Sequence, residues 1–281
     1  MQLLSGSQVA EKKRLEIKIK VRQFAFDHGR PPGLAVVLVG DDPASQVYVK
    51  NKIKACSDTG IQSFHNQLPA KTTEEELLKL ISKLNSQTDV DGILVQLPLP
   101  SHIDTNRVLS AIWPLKDADG LTPENLGLLM AGRPRVAPCT PRGVIEILNH
   151  YDIAIAGRHA VVVGRSQIVG RPMAQLLLLA DATVTVVHSK TPNIRDFTKQ
   201  GDIVVVAAGK PRFMGAEDFK KDSVVIDVGI HRRAEGLCGD VRTDELKGLV
   251  KAATPVPGGV GPMTITMLLE NTLTLAQLSK A

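Results

Sequence analysis

Short, wholly apolar runs recur along this chain, each followed by a turn and then a stretch of helical period. The clearest is Gly33-Leu34-Ala35-Val36-Val37-Leu38-Val39-Gly40, which reads as a buried strand. Before it, residues 8–28 place Val9, Leu15, Ile17, Ile19, Val21 and Phe24 at near-helical spacing among many Lys and Arg. That is a surface helix, ended by Gly29 and Pro31-Pro32. A helix from about Ser45 to Ser57 and a strand near Ile61–Leu68 follow. Thr73 and Glu76 make a capping box ahead of Leu77, Leu78, Ile81 and Leu84, so an amphipathic helix starts there. Residues 90–97 read as a third strand, closed by Pro98 and Pro100. Strands alternating with helices argue for a parallel sheet, because parallel neighbours need a crossover between them.

From Ser101 to Pro138 the alternation is lost among several Pro and Gly. A helix opens at Pro141 and runs through Leu148, and after Gly157 the rhythm restarts. Strands are expected over 159–164, 182–187, 202–208 and 223–229, with a helix over 168–179. A Gly/Pro-rich loop, 255–262, then leads to a last helix from Met263 to about Leu278. The fold class is α/β, as two α/β units with parallel sheets joined near residue 140. The final helix is expected to pack back on the first unit.

Composition removes several other classes. At 281 residues there is room for two domains. No segment approaches the ~20 consecutive apolar residues of a membrane span, and Met1 to Gly6 do not read as a signal peptide. A cytoplasmic location is therefore expected. Three widely spaced cysteines (Cys56, Cys139, Cys238) offer neither a metal-ligand spacing nor a disulfide framework, so no metal is expected. The net charge of +5 is spread along the chain, and aromatics are only 3 % of it. A nucleic-acid platform needs clustered aromatics beside the charge, so anionic small molecules are the better partners.

Val161-Val162-Val163-Gly164-Arg165-Ser166-Gln167-Ile168-Val169-Gly170 reads as strand, tight turn and helix start. Gly164 permits the turn, and Gly170 lets the helix approach the sheet. The helix N-terminus offers N–H groups and a positive dipole to a pyrophosphate. The spacing G-x-S-x-x-x-G only half matches the dinucleotide fingerprint, and an ordinary strand-turn-helix without a ligand is the alternative on this feature alone. The next strand decides the cofactor. It ends in His188-Ser189-Lys190-Thr191, without the acid that grips the ribose hydroxyls of NAD. Arg165, Ser189 and Lys190 suit a 2′-phosphate instead, which favours NADP. His188 reads as a strand-end histidine with a satisfied hydrogen bond.

Tyr48 and Lys52 stand four apart on the helix after the first strand, so they share a face, and Lys50 points elsewhere. Y-x-x-x-K by itself also suits a solvated surface helix. In short-chain dehydrogenases that motif follows the nucleotide turn, whereas here it precedes it by more than a hundred residues. Gln96, at the end of strand 90–97, can orient a lysine amine without adding charge. Asp119, in Lys116-Asp117-Ala118-Asp119-Gly120, reads as a turn former unless a ligand brings adjacent N–H donors.

These blocks, in this order, resemble the bifunctional methylenetetrahydrofolate dehydrogenase/methenyltetrahydrofolate cyclohydrolase family. The match runs from Val39-Gly40 to Lys52 and through Asp91-Gly92-Ile93-Leu94-Val95-Gln96-Leu97-Pro98 to Lys116–Gly120. It continues with Pro138-Cys139-Thr140-Pro141, Gly164-Arg165-Ser166, His188–Thr191 and Thr254–Thr264, nearly the whole chain. Ala118 and Leu121 depart from it, where Val and Phe are common.

The resemblance implies a folate-binding catalytic domain over 1–139, completed by helix 258–281. It also implies a Rossmann-type NADP-binding domain over 140–257 and a cleft between the two. Tyr48 would stack on the folate, Lys52 would act in the chemistry, Gln96 would position Lys52 and Asp119 would hold the pterin. Leu97, Pro98 and Pro262 would line the pocket. Gly164, Arg165, Ser166, Ser189, Ile230 and the 255–262 loop with Pro255 would bind NADP. A homodimer through the nucleotide domains is also implied. The expected activity oxidises 5,10-methylenetetrahydrofolate with NADP and hydrolyses the methenyl product to 10-formyltetrahydrofolate. Burial beside the cationic folate would lower the Lys52 pKa toward working pH. The alternatives are a dehydrogenase without cyclohydrolase, a shikimate-type dehydrogenase, or a non-catalytic binder. The last two are disfavoured by the 138–141 and 255–263 blocks and by the intact Tyr48, Lys52, Gln96 and Asp119.

Overall fold

The computed structural model describes residues 1–234 and 236–280. The chain forms two compact units, Lys12–Ala137 with the residues from Ile265 on, and Met1–Glu11 with Pro138–Thr264. The elements begin with β1 (Gln2–Leu3), α1 (Gly6–His28), β2 (Gly33–Val39), α2 (Pro43–Thr59), β3 (Gln62–Leu68) and α3 (Glu74–Ser86). β4 (Gly92–Val95), α4 (Thr105–Ser110) and α5 (Pro123–Met130) follow.

In the unit from Lys12, β2 is the middle strand of a parallel sheet ordered β3-β2-β4. All seven of its residues are buried, as an unbroken apolar run requires. Ala35, Val37 and Val39 pack with Leu77, Ile81 and Leu84 of α3, Ile93 and Val95 of β4, and Val108 and Leu109 of α4. Each fully buried Leu or Ile contributes about 1.5–3 kcal/mol. The Thr73–Glu76 capping box forms, with Thr73 N–H donating to Glu76 at 2.8 Å. β4 is shorter than the expected 90–97, yet Gln96 N–H still donates to Val37 O at 2.8 Å, which carries the ladder to the residue that matters. The stretch from Ser101, where no periodicity shows, holds the short helices α4 and α5.

The second half of the chain gives α6 (Cys139–His150), β5 (His159–Val163), α7 (Gly170–Leu179), β6 (Thr183–Val187), α8 (Ile194–Thr198), β7 (Ile203–Val206) and β8 (Val224–Asp227). Then come β9 (His231–Arg233), β10 (Gly236–Cys238), β11 (Ala252–Ala253) and α9 (Val260–Leu278). The main sheet is ordered β1-β11-β8-β7-β5-β6, every pair parallel. Its side-chain core is largely valine (Val161, Val163, Val204, Val206, Val225), the residue type that suits a twice-buried strand.

Two further features differ from expectation. Residues 1–11 lie with the unit of this six-stranded sheet, because Gln2 and Leu3 pair with Ala252 and Ala253. Strands of two residues carry no periodicity to read. The last helix starts at Val260 rather than Met263, so Pro262 stands in its first turn, where a missing N–H costs nothing. Among the described residues, no helix is long and apolar enough to cross a membrane.

Candidate active site

α2 starts where Asp42 caps it, its carboxylate accepting from Ser45 N–H at 2.7 Å, with Pro43 as the first helical residue. The helix follows the carboxyl end of the central strand β2 and presents Tyr48 and Lys52 one turn apart. Lys52 is only 8 % exposed, and its Nζ donates to Gln96 Oε1 at 3.0 Å. Gln96 Nε2 in turn donates to Leu97 O at 2.6 Å. Both ends of the amide are thereby assigned, with the oxygen toward the amine. The strand-end glutamine thus aims the lysine without adding charge. Tyr48 is half-buried, and burial pushes its phenol above the ordinary value. Lys50 is exposed. Leu97 is half-buried and Pro98 exposed, across a cis peptide bond. One turn beyond Lys52, burial pushes the Cys56 thiol up to about 12, so it is a packing residue rather than a nucleophile.

Asp119 is held beside β4. Asp117 bridges to Ile93 of β4 in parallel sense, and Asp119 stands in the turn that follows directly and ends at Gly120. The turn is tied by Asp117, whose buried carboxylate accepts from Gly120 N–H (2.9 Å), Thr122 N–H (2.7 Å) and Asn125 Nδ2 (2.9 Å). Asn271 on α9 braces the same segment, donating to Ala118 O and Ala137 O at 3.0 Å each. The sequence reading missed both Asp117 and Asn271. The signal for Asp117 was its place three residues before Gly120, since Asp is favoured at the first and Gly at the fourth position of a β-turn.

At the nucleotide-type turn, Gly164 has φ +125°, and a Cβ there would meet the Ala207 carbonyl oxygen at 2.2 Å. No other residue fits. A Cβ on Gly170 would meet the Gly164 carbonyl oxygen at 2.2 Å, so the bare backbone there lets the start of α7 close on the end of β5. The expected free N–H groups of α7 are corrected. Ser166 Oγ accepts from Val169 and Gly170 N–H, Ser166 O accepts from Arg171 N–H, and Pro172 has none. Ser166 thus ties the loop ahead of α7 to the helix start.

Val163 pairs in register with Val187, so Arg165 and Ser189, two residues past each, share one edge. Arg165, Ser166, Ser189 and Lys190 are all exposed there. His188 Nδ1 accepts from Lys190 N–H at 3.2 Å, the satisfied strand-end role. Ile230 is exposed and lies against Gly261 at the start of α9. Pro255 is half-buried in a loop folded so tightly that Gly259 approaches its carbonyl. Two carboxylates in this unit also escaped the sequence reading. Asp227 and Asp240 are buried at the carboxyl ends of β7 and β8. Burial, aided by Asp240, pushes Asp227 up to about 6, against three backbone N–H bonds that oppose the shift.

Residues 4–119 match the family described as tetrahydrofolate dehydrogenase/cyclohydrolase, catalytic domain. Residues 138–280 match its NAD(P)-binding domain. A relative from Bdellovibrio bacteriovorus, named bifunctional protein FolD, is 58% identical over 98% of this chain and 96% of its own. The crystal structure of a bifunctional methylenetetrahydrofolate dehydrogenase/cyclohydrolase from Campylobacter jejuni is 47% identical, with TM-score 0.96 over 99% of both chains. One from Trypanosoma brucei, complexed with NADP cofactor and inhibitor, is 42% identical with TM-score 0.95, covering 99% of this chain and 98% of its own. A shikimate dehydrogenase from Aquifex aeolicus, 13% identical with TM-score 0.55, shares the fold alone.

Proposed function

The chain belongs to the tetrahydrofolate dehydrogenase/cyclohydrolase family, and we propose from this that it carries both activities of that family. It oxidises 5,10-methylenetetrahydrofolate with NADP⁺ and hydrolyses the methenyl product to 10-formyltetrahydrofolate. The observation that carries the chemical half is the buried Lys52–Gln96 pair at 3.0 Å, an amine aimed by a neutral amide.

In this reading Asp119 accepts from the pterin's 2-amino and N3–H groups, and Tyr48, Leu97 and Pro98 meet the rest of the folate. The dehydrogenase step asks mainly for alignment of donor and acceptor carbons. NADP⁺ supplies the hydride acceptor when bound. Arg165 and Ser189, on one edge with Lys190, take the 2′-phosphate, and no carboxylate at the end of β6 repels it. The Gly164 turn, which has no room for a side chain, and the loop to Val169 take the pyrophosphate. Ile230 and Pro255 border the same carboxyl edge of the sheet. In the hydrolase step, the neutral Lys52 Nζ takes a proton from the water that adds to the methenyl carbon and passes one to N5 as the C–N5 bond breaks to leave the 10-formyl group, while Gln96 keeps the Lys52 nitrogen in place.

A homodimer is part of this reading. Its support is the apolar rim of edge strand β6 and α7, where Val186, Leu178 and Leu179 are exposed. Light scattering that gives the mass of one chain ends it. The cytoplasm is the expected compartment, consistent with the buried free thiols of Cys56 and Cys139.

The function is tested in one cuvette holding purified protein, methylenetetrahydrofolate and NADP⁺. NADPH absorbance should rise, methenyl absorbance should pass through a maximum, and 10-formyltetrahydrofolate should be the end product. No NADPH overturns the assignment. Methenyl product that decays no faster than without enzyme reduces it to a dehydrogenase alone.

A further inference from the structure

Asp240 lies outside every motif used so far, yet it is fully buried and accepts four hydrogen bonds. Three come from consecutive backbone amides in the loop after β7: Ala208 (2.6 Å), Gly209 (2.9 Å) and Lys210 (2.9 Å). The fourth comes from His231 Nε2 at 2.7 Å, on the segment that follows β8. The neutral Nε2–H tautomer suffices for that bond. Behind Asp240 stands Asp227, whose carboxylate accepts from Gly229, Asp240 and Val241 N–H, each at 2.9 Å. Asp227 N–H donates to Thr254 Oγ1 at 2.8 Å, which ties in the loop that leads to Pro255. The packing leaves no slack: a Cβ on Gly229 would meet Asp240 Oδ1 at 2.4 Å, and one on Gly239 would meet Asp227 Oδ2 at 1.8 Å.

Two neighbouring buried carboxylates are costly to assemble. Here they join the loops after β7 and β8, and the Asp227 backbone N–H ties in the start of the 254–259 loop, all at the carboxyl edge of the parallel sheet. Ligands bind at that edge in open α/β sheets. We propose that Asp240, held by His231, is a positioning residue for the cofactor: it clamps the loops after β7 and β8 into the rim that receives the dinucleotide. The inference rests on the nucleotide site assigned above. The hydrogen bonds of the clamp all lie within the unit of the six-stranded sheet, so its loss should reach the dehydrogenase through cofactor binding and leave the hydrolase alone.

The test compares His231→Phe, which removes the donor, with His231→Gln, which keeps an N–H of similar reach, and uses Arg165→Ala as a control. Asp240→Asn is avoided because a buried amide facing three N–H groups endangers folding. His231→Phe should raise the Michaelis constant and the dissociation constant for NADP⁺ about three- to tenfold. The constant for methylenetetrahydrofolate and the hydrolysis of methenyltetrahydrofolate measured without NADP⁺ should stay within twofold. His231→Gln should restore most of the NADP⁺ affinity. Unchanged NADP⁺ binding in His231→Phe, while Arg165→Ala weakens it, overturns the clamp and keeps the nucleotide site. Parallel loss of both activities with a lowered melting temperature makes the network merely structural and also overturns the clamp. If Arg165→Ala leaves NADP⁺ affinity untouched, the nucleotide site is misplaced and the clamp falls with it.

Discussion

Lys52→Met is expected to remove nearly all cyclohydrolase activity while the dehydrogenase falls much less. Methionine keeps the bulk of the buried stem but exchanges no proton, and general acid–base groups contribute about 100- to 10,000-fold. Hydride transfer asks no proton of this residue, so methenyltetrahydrofolate should accumulate as the product. The opposing idea is that Lys52 only holds the folate. Both rates and folate affinity would then drop together, because a lost positioning contact lowers every step that needs the bound substrate. Gln96 provides an internal check. Its oxygen faces the amine at 3.0 Å, so shortening it to Asn moves that oxygen away and should reproduce a milder form of the same split.

The double change Arg165→Ala with Ser189→Ala should raise the Michaelis constant for NADP⁺ about 10- to 100-fold and that for NAD⁺ only slightly. The two residues follow register-paired Val163 and Val187 by two positions each, which puts both at the same edge of the sheet. NAD has no 2′-phosphate for them to hold. Steady-state kinetics with each cofactor decides the matter, and equal effects on the two would remove the specificity role. Lys190, exposed on the same edge, sets how complete the loss is.

Much of the fold was legible because its signals are local. Gly33–Val39 is apolar throughout and is buried throughout; Thr73 and Glu76 cap α3 as their spacing demands. α2 starts two residues ahead of the expected Ser45 because Pro43 is a good first helical residue behind an Asp42 cap. At the nucleotide turn the glycine positions were legible, whereas the acceptors that occupy the amides at the start of α7 were not. Which partner a glycine approaches, and which acceptor an amide finds, depend on how the loop closes in space.

The sequence by itself determined the parallel α/β class, the one-turn pairing of Tyr48 with Lys52 and the acid-free end of β6. Each follows from side-chain period or residue type within a few positions. Only the tertiary structure decided that Lys52 meets Gln96, 44 residues away, at hydrogen-bond distance. It also decided that Gln2–Leu3 closes the sheet against Ala252–Ala253, and that Asp240 gathers amides 30 to 32 residues distant. Such contacts are chosen by the joint packing of strands and loops. The burial of a carboxylate or an amine selects whichever donors and acceptors the folded chain brings within reach, and no local pattern records that choice.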